Sequence, residues 1–357
     1  MVRTALAYGA AAALLPALIH AQYTQVKEYA GDSFFDDWNF YNHADDLTNG
    51  NVFFVSSTNA GKDQLAYVND AGNAIMKVDN TSSVSVGQNR NSVRIETQDH
   101  FTVGSLWVTD MLHVPFGCSV WPAFWSSAQD WPSGGEIDTF EGVNQVTMNQ
   151  MALHTADGCT HSSNALQTSK LINSTDCSTA ANNNEGCVVT TPTPSSYGAA
   201  FAADGGGVFV TEFANEGVRE IWFFNRSSVP SALQSNASTI SLSDLGTPRE
   251  LHLADLRGQP FFQPQSLIFD ITLCGARRLR RQPAGFAETC SGVCYDDFVT
   301  GPPSTYDNAY FEVKYVRVYG VAGEDTVISA ARPRVAVLAG TVVLAALGVA
   351  LSTLLVL

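Results

Sequence analysis

Basic residues are scarce in this chain. Lysine and arginine together number 19 against 34 aspartates and glutamates, a net charge of −15. Phosphate backbones are gripped by clustered Lys and Arg, so this balance argues against a nucleic-acid partner. One basic run, Arg277-Arg278-Leu279-Arg280-Arg281, does not reverse it. Long helical periods are missing from the body, as are internal repeats and any linker that would divide it. Zinc spacing is incomplete: Cys290-Ser291-Gly292-Val293-Cys294 has no second Cys or His pair to close a tetrahedral site. No metal or cofactor is expected.

What the chain does contain is short alternating and aromatic runs. Val52–Val55, Ser92–Ile95, Gly104–Val108, Val208–Phe213, Glu220–Phe224, Leu267–Leu273 and Phe311–Tyr319 are separated by Gly, Asn, Ser and Pro clusters. Period-two runs with turn signals between them predict an all-β sandwich of two antiparallel sheets. The polar stretch 157–194 carries Cys159, Cys177 and Cys187 and is expected to be a long disulfide-stapled loop beside a cleft. Residues 199–207 read as a glycine-rich turn. Seven cysteines in an exported chain pair off and leave one over; connectivity stays open.

The ends read as processing signals. Met1-Val2-Arg3, an apolar run from Ala5 to Ile19 and the small residue Ala21 predict a signal peptide over 1–21. The body is expected over 22–321 and a polar spacer over 322–334. An uncharged apolar tail follows over 335–357, longer than the ~20 residues that cross a bilayer. Arg332 and Arg334 precede it on the side that export would leave outside, against the tendency for a stable span. A glycolipid-anchor signal with attachment near 322–326 is therefore expected, with a retained membrane helix as the alternative. The expected location is the cell surface or cell wall, and the expected state is a monomer. Asn80, Asn173, Asn225 and Asn236 head glycosylation sequons, expected on surface loops.

The most informative stretch is Gly134-Gly135-Glu136-Ile137-Asp138-Thr139-Phe140-Glu141-Gly142. Three carboxylates fall within an apolar, aromatic neighbourhood containing Trp121, Phe124, Trp125 and Trp131. Unpaired carboxylates are costly to bury, so their charge is expected to be used. In a strand, Glu136 and Asp138 share one face and Glu141 points to the other. A β-bulge would return Glu141 to their side, and bulges are common beside active sites. As a helix, Glu136 and Glu141 would lie roughly 140° apart, a poor convergence. The residues alone leave three readings open: paired acid chemistry on a sugar chain, a Ca²⁺ site, or a structural network at a sheet edge.

The motif resembles the bulged active-site strand of glycoside hydrolase family 16, in the form found in fungal laminarinase-type β-glucanases. Gly117-Cys118-Ser119-Val120-Trp121-Pro122-Ala123-Phe124-Trp125, Asp130-Trp131-Pro132-Ser133-Gly134-Gly135-Glu136, Leu153-His154-Thr155, Ser196-Tyr197-Gly198, Ile221-Trp222-Phe223-Phe224 and Val316-Arg317-Val318-Tyr319 follow the family order. The resemblance implies a β-jelly-roll with a concave cleft and endo-acting hydrolysis of β-1,3(4)-glucan. It implies Glu136 as nucleophile, Glu141 as acid/base and Asp138 as the group that orients Glu136. Trp125, Trp131, His154 and Arg94 become candidate sugar contacts, whereas Trp121 is expected in the sandwich core. Two departures stand out. Residues 251–258 lack a cysteine typical of fungal relatives, and the family's Asp-Trp-Ala-Gly after Cys274-Gly275 is replaced from Ala276 onward. A wall transglycosylase and a weakened sugar-binding surface protein are the alternative functions.

Overall fold

A computed structural model describes residues 22–161, 167–172, 174–214, 217–246, 251–252, 261–275 and 285–329. The leader, the tail, the substituted segment 276–284, residues 253–258 and sequon Asn173 lie outside the described residues.

Two large antiparallel sheets stack face to face. The outer, nine-stranded sheet runs in the order 239–241, 22–30, 310–321, 105–113, 207–214, 217–225 and 251–252, with 74–77 and 66–68 added beside 310–321. The eight-stranded cleft sheet runs 170–172, 187–190, 150–154, 136–141, 120–127, 266–273, 94–97 and 38–40. Alternation sorts the side chains. Phe140, Phe124, Phe269 and Ile95 are register partners across four neighbouring cleft-sheet strands, and all are buried. Phe209 and Phe311 of the outer sheet meet this row, at 5.5 Å from Phe140 and 5.2 Å from Phe269 between ring centroids. Such aromatic pairs add edge-to-face attraction to the area they remove from water. The opposite face of the same strands is thereby left for the cleft.

The outer sheet has its own cover. Leu233, Ile240 and Leu245 pack onto Leu106, Val208, Trp222, Tyr315 and Tyr319. Tyr315 donates to the Leu233 carbonyl at 2.8 Å, tying this cover to the sheet.

Several expectations are corrected. The stretch 157–194 is not wholly loop: Lys170–Ile172 and Cys187–Thr190 add two strands to the cleft sheet, and Cys177–Cys187 staples the connection. The expected turn over 199–207 begins as a short helix, Gly198–Ala203. Within the expected spacer, Val327–Ile328 pairs with His100–Phe101 as a separate two-stranded sheet. The remaining disulfides are Cys118–Cys290 and Cys274–Cys294, and the unpaired cysteine is the buried Cys159. Asn236 is exposed, while Asn80 is half-buried and bonded to Asp307 at 2.7 Å. Among the described residues, no helix is long and apolar enough to cross a membrane.

Candidate active site

The strand Glu136–Glu141 carries the expected bulge. Trp125 pairs with Asp138 and Phe124 with Phe140, so Thr139 is the extra residue against the strand Val120–Ser127. On the other side Asp138 pairs with Ala152 and Glu141 with Gln150, again one residue long. Thr139 and Phe140 both turn inward: the Thr139 hydroxyl lies 2.6 Å from that of Thr211 in the outer sheet, and Phe140 stacks on Tyr197. Glu141 therefore returns to the face of Glu136 and Asp138. The bulge leaves backbone groups without ladder partners, and Asn149 meets them. Its Oδ1 accepts the Glu141 N–H at 2.9 Å and its Nδ2 donates to the Thr139 carbonyl at 3.0 Å.

His154 is the register partner of Glu136. Its Nε2 lies 3.4 Å from Asp138 and 4.0 Å from Glu136. Burial works against a charged imidazole, but the Asp138 bond and the negative charges of Asp138, Glu136 and Glu141 outweigh it and hold the ring protonated, at about 10. The carboxylates are displaced upward. For Glu136, burial is the main cause and Asp138 the next, opposed by His154, Trp131 and Arg94. For Asp138, burial outweighs its bond to His154. For Glu141, burial outweighs the Trp121 bond and His154. Three crowded acids facing one imidazolium titrate as a set and favour keeping a proton among them near neutrality.

The donor atoms of Glu136, Asp138 and His154 lie within 4.8 Å of one another, a spacing compatible with a metal ion. The same contacts, an imidazole nitrogen 3.4 Å from Asp138 and 4.0 Å from Glu136, also suit sharing and passing of protons.

The other predicted residues gather around the acids. The Trp131 indole N–H donates to Glu136, and its ring is 43% exposed at the cleft mouth. Its loop returns through Gly135, at φ +76°, where a Cβ would strike Phe262 at 2.4 Å. Arg94 sits between two rings, 4.5 Å from Tyr41 and 5.1 Å from Trp125. Trp121 is a correction: it is half-buried in the cleft rather than core, and its Nε1 donates to Glu141 at 2.7 Å. Asn149 and Asp270 escaped the sequence reading. Asp270, bonded to the Trp125 Nε1 at 2.7 Å, was detectable as a lone acid in the apolar run Leu267–Leu273. Asn149 left no such mark.

Comparison with known proteins places the whole domain. The family model described as the XgeA-like, catalytic GH16 domain matches residues 38–319. A probable glycosidase of Schizosaccharomyces pombe is 38% identical over 83% of this chain and 69% of its own length. The endo-1,3(4)-beta-glucanase xgeA of Emericella nidulans is 35% identical over 88% of the chain and 50% of its own length. The chain thus spans about half the length of that filamentous-fungal relative. Laminarinase 16A from Phanerochaete chrysosporium, solved with β-glucans in donor and acceptor sites, superposes with a TM-score of 0.77 at 34% identity, over 84% of this chain and all of that one. An elongating GH family 16 β-1,3-glucosyltransferase superposes with a TM-score of 0.74 at 35% identity, over 83% and 99%.

Proposed function

The chain belongs to glycoside hydrolase family 16, as an XgeA-like catalytic domain, and from that membership we propose that it cleaves β-1,3(4)-glucans internally with retention of configuration. The observation that carries this reading is the bulged strand, on which Glu136, Asp138 and Glu141 share the concave face beside His154.

Glu136 attacks the anomeric carbon and Glu141 protonates the departing oxygen. Glu141 then removes a proton from the incoming water, which releases the sugar. Asp138, 3.4 Å from the His154 Nε2, holds the imidazolium beside the nucleophile, which the same nitrogen approaches at 4.0 Å. Burial raises both carboxyls, Glu136 to about 8, and at Glu136 the imidazolium of His154 opposes that rise and so promotes the ionised form that the attack needs. The indoles of Trp125 and Trp131 offer flat apolar faces to sugar rings.

A transglucosylase reading uses the same glycosyl–enzyme ester and is favoured by the similarity to the elongating glucosyltransferase. Incubation with laminarihexaose and mixed-linkage glucan, followed by sizing of the products, separates the two. Shortened products with the β-anomer formed first support retaining hydrolysis. Lengthened products support transfer. Neither activity from the folded protein, or the α-anomer first, would sink the reading. Export and a surface anchor remain our accompanying proposal, tested by release of the protein with a phosphatidylinositol-specific phospholipase.

A further inference from the structure

Asp270 has no part in the mechanism above. It interrupts the apolar strand Ser266–Leu273, and its register partners are Arg94 on one side and Ala123 on the other. Ala123 in turn pairs with Glu141. One row therefore crosses the cleft floor: Arg94, Asp270, Ala123, Glu141. Only a methyl group stands on the floor between the two acids, which are two strand spacings, roughly 10 Å, apart along the backbone. Trp121 and Trp125 flank Ala123 on the same face. Each indole donates to one acid at 2.7 Å, Trp121 to Glu141 and Trp125 to Asp270.

We propose that Asp270 is a positioning residue for this reaction: it fixes the Trp125 indole as a wall of the cleft and sets a second negative charge across Ala123 from Glu141. The inference rests on the assignment of Glu141 as the acid.

The wall follows from bonding. The Asp270 carboxyl oxygen accepts the Trp125 indole N–H at 2.7 Å, and it keeps acceptor capacity whether ionised or protonated. Arg94 closes the far side of the same ring and leaves its own Nε without a hydrogen-bond partner among the described residues, although the side chain is over nine-tenths buried. A sugar hydroxyl over this wall would supply the missing acceptor.

The charge follows from what faces Glu141. Glu136 and Asp138 do so from its own strand, His154 from the next, Tyr197 from the segment beyond the core, and Asp270 from across Ala123. Asp270 itself faces Arg94, Asp45 and Asp138. Burial, opposed by Arg94 and Trp125, leaves it titrating at about 7. Its charge therefore appears as pH rises past neutrality, where it makes the Glu141 proton harder to remove.

Two variants separate the roles. In Asp270→Asn the amide oxygen still accepts from Trp125, but the charge is gone. The alkaline limb of the kcat/KM profile is expected to fall about half a pH unit earlier, with KM within twofold of wild type. In Asp270→Leu the acceptor is gone, and laminarihexaose affinity is expected to fall at least about tenfold. Calorimetry in a Glu136→Gln background reads that affinity without turnover. An Asp270→Asn profile that superimposes on wild type overturns the charge role. Unchanged affinity in Asp270→Leu overturns the wall. A wild-type protein that binds the hexaose yet never cleaves it refutes the proposed function instead, and the calorimetric comparison still decides the wall. Should Asp270→Leu not fold, Asp270→Ala in the same calorimetric comparison decides the wall, and the near-isosteric Asp270→Asn profile still decides the charge.

Discussion

Asn149 holds Glu141 by its backbone: the amide oxygen of the first accepts the N–H of the second at 2.9 Å, beside a bulge that shifts the ladder by one residue. The same amide donates to the Thr139 carbonyl, and Asn149 is fully buried. The irregularity that brings three acids to one face, one extra residue in a strand, is thus repaired by one side chain from the neighbouring segment.

Asn149→Ala should therefore cost both stability and rate. Two buried backbone groups lose their partners, at a cost of about 2–4 kcal/mol. Glu141 also loses its anchor, and kcat should fall roughly tenfold while KM changes less. Urea unfolding and steady-state kinetics check the two effects, and a variant with wild-type midpoint and rate contradicts them.

Glu136→Gln removes the proposed nucleophile and should reduce laminarin hydrolysis by about a thousandfold or more. It should also stabilise the fold at neutral pH. A carboxyl displaced upward by burial gives its proton up unwillingly, so wild type loses stability as pH rises above the ordinary value of 4.5. The amide carries no such penalty. The melting temperature of the variant should exceed that of wild type at pH 8 and approach it near pH 4.5. Glu141→Ala should be severely slow on glucan but less so on a substrate with an activated leaving group, which needs little protonation.

His154→Gln tests the imidazolium. Without it Glu136 holds its proton to higher pH, so the acid limb of the rate profile should move upward by about one unit. The stability sign is opposite to that of Glu136. A histidine raised from 6.5 to about 10 stabilises fully below 6.5, and this is lost as pH climbs through about 10. Measured from pH 5 upward, the deficit of the variant should be largest at pH 5–6.5 and close toward pH 10. A deficit that grows with pH would show that His154 is neutral.

Cys159 should be silent. It is buried, and burial pushes its thiol up to about 11, so little thiolate forms. A thiol reagent should label nothing in the native protein and one cysteine after unfolding without reductant. Cys159→Ala should shift stability by under ~1.5 kcal/mol. Loss of Cys177–Cys187, which closes a separation of 10 residues, should cost about 2–3 kcal/mol.

Local pattern made much of this protein legible. Alternation along Leu267–Leu273 or Phe311–Tyr319 needs no partner to be seen, because successive side chains in a strand take opposite faces whatever lies beside it. The same rule showed that Glu136 and Glu141 could share a face only through a bulge, and the bulge is there. Other relationships depend on register between segments far apart in sequence, which a single strand does not encode. Pairing of Val120–Ser127 with both Glu136–Glu141 and Ser266–Leu273 turns Trp121 from an expected core residue into the partner of Glu141, and lines up Asp270 behind Ala123. Disulfide connectivity and the choice of Cys159 as the odd thiol depend on the same distant encounters. The sequence by itself determined the fold class and the strand that bears the acids, since both follow from short-range periodicity. Only the tertiary structure decided which neighbours hold those acids in place, since that is settled by how strands distant in the chain come to lie side by side.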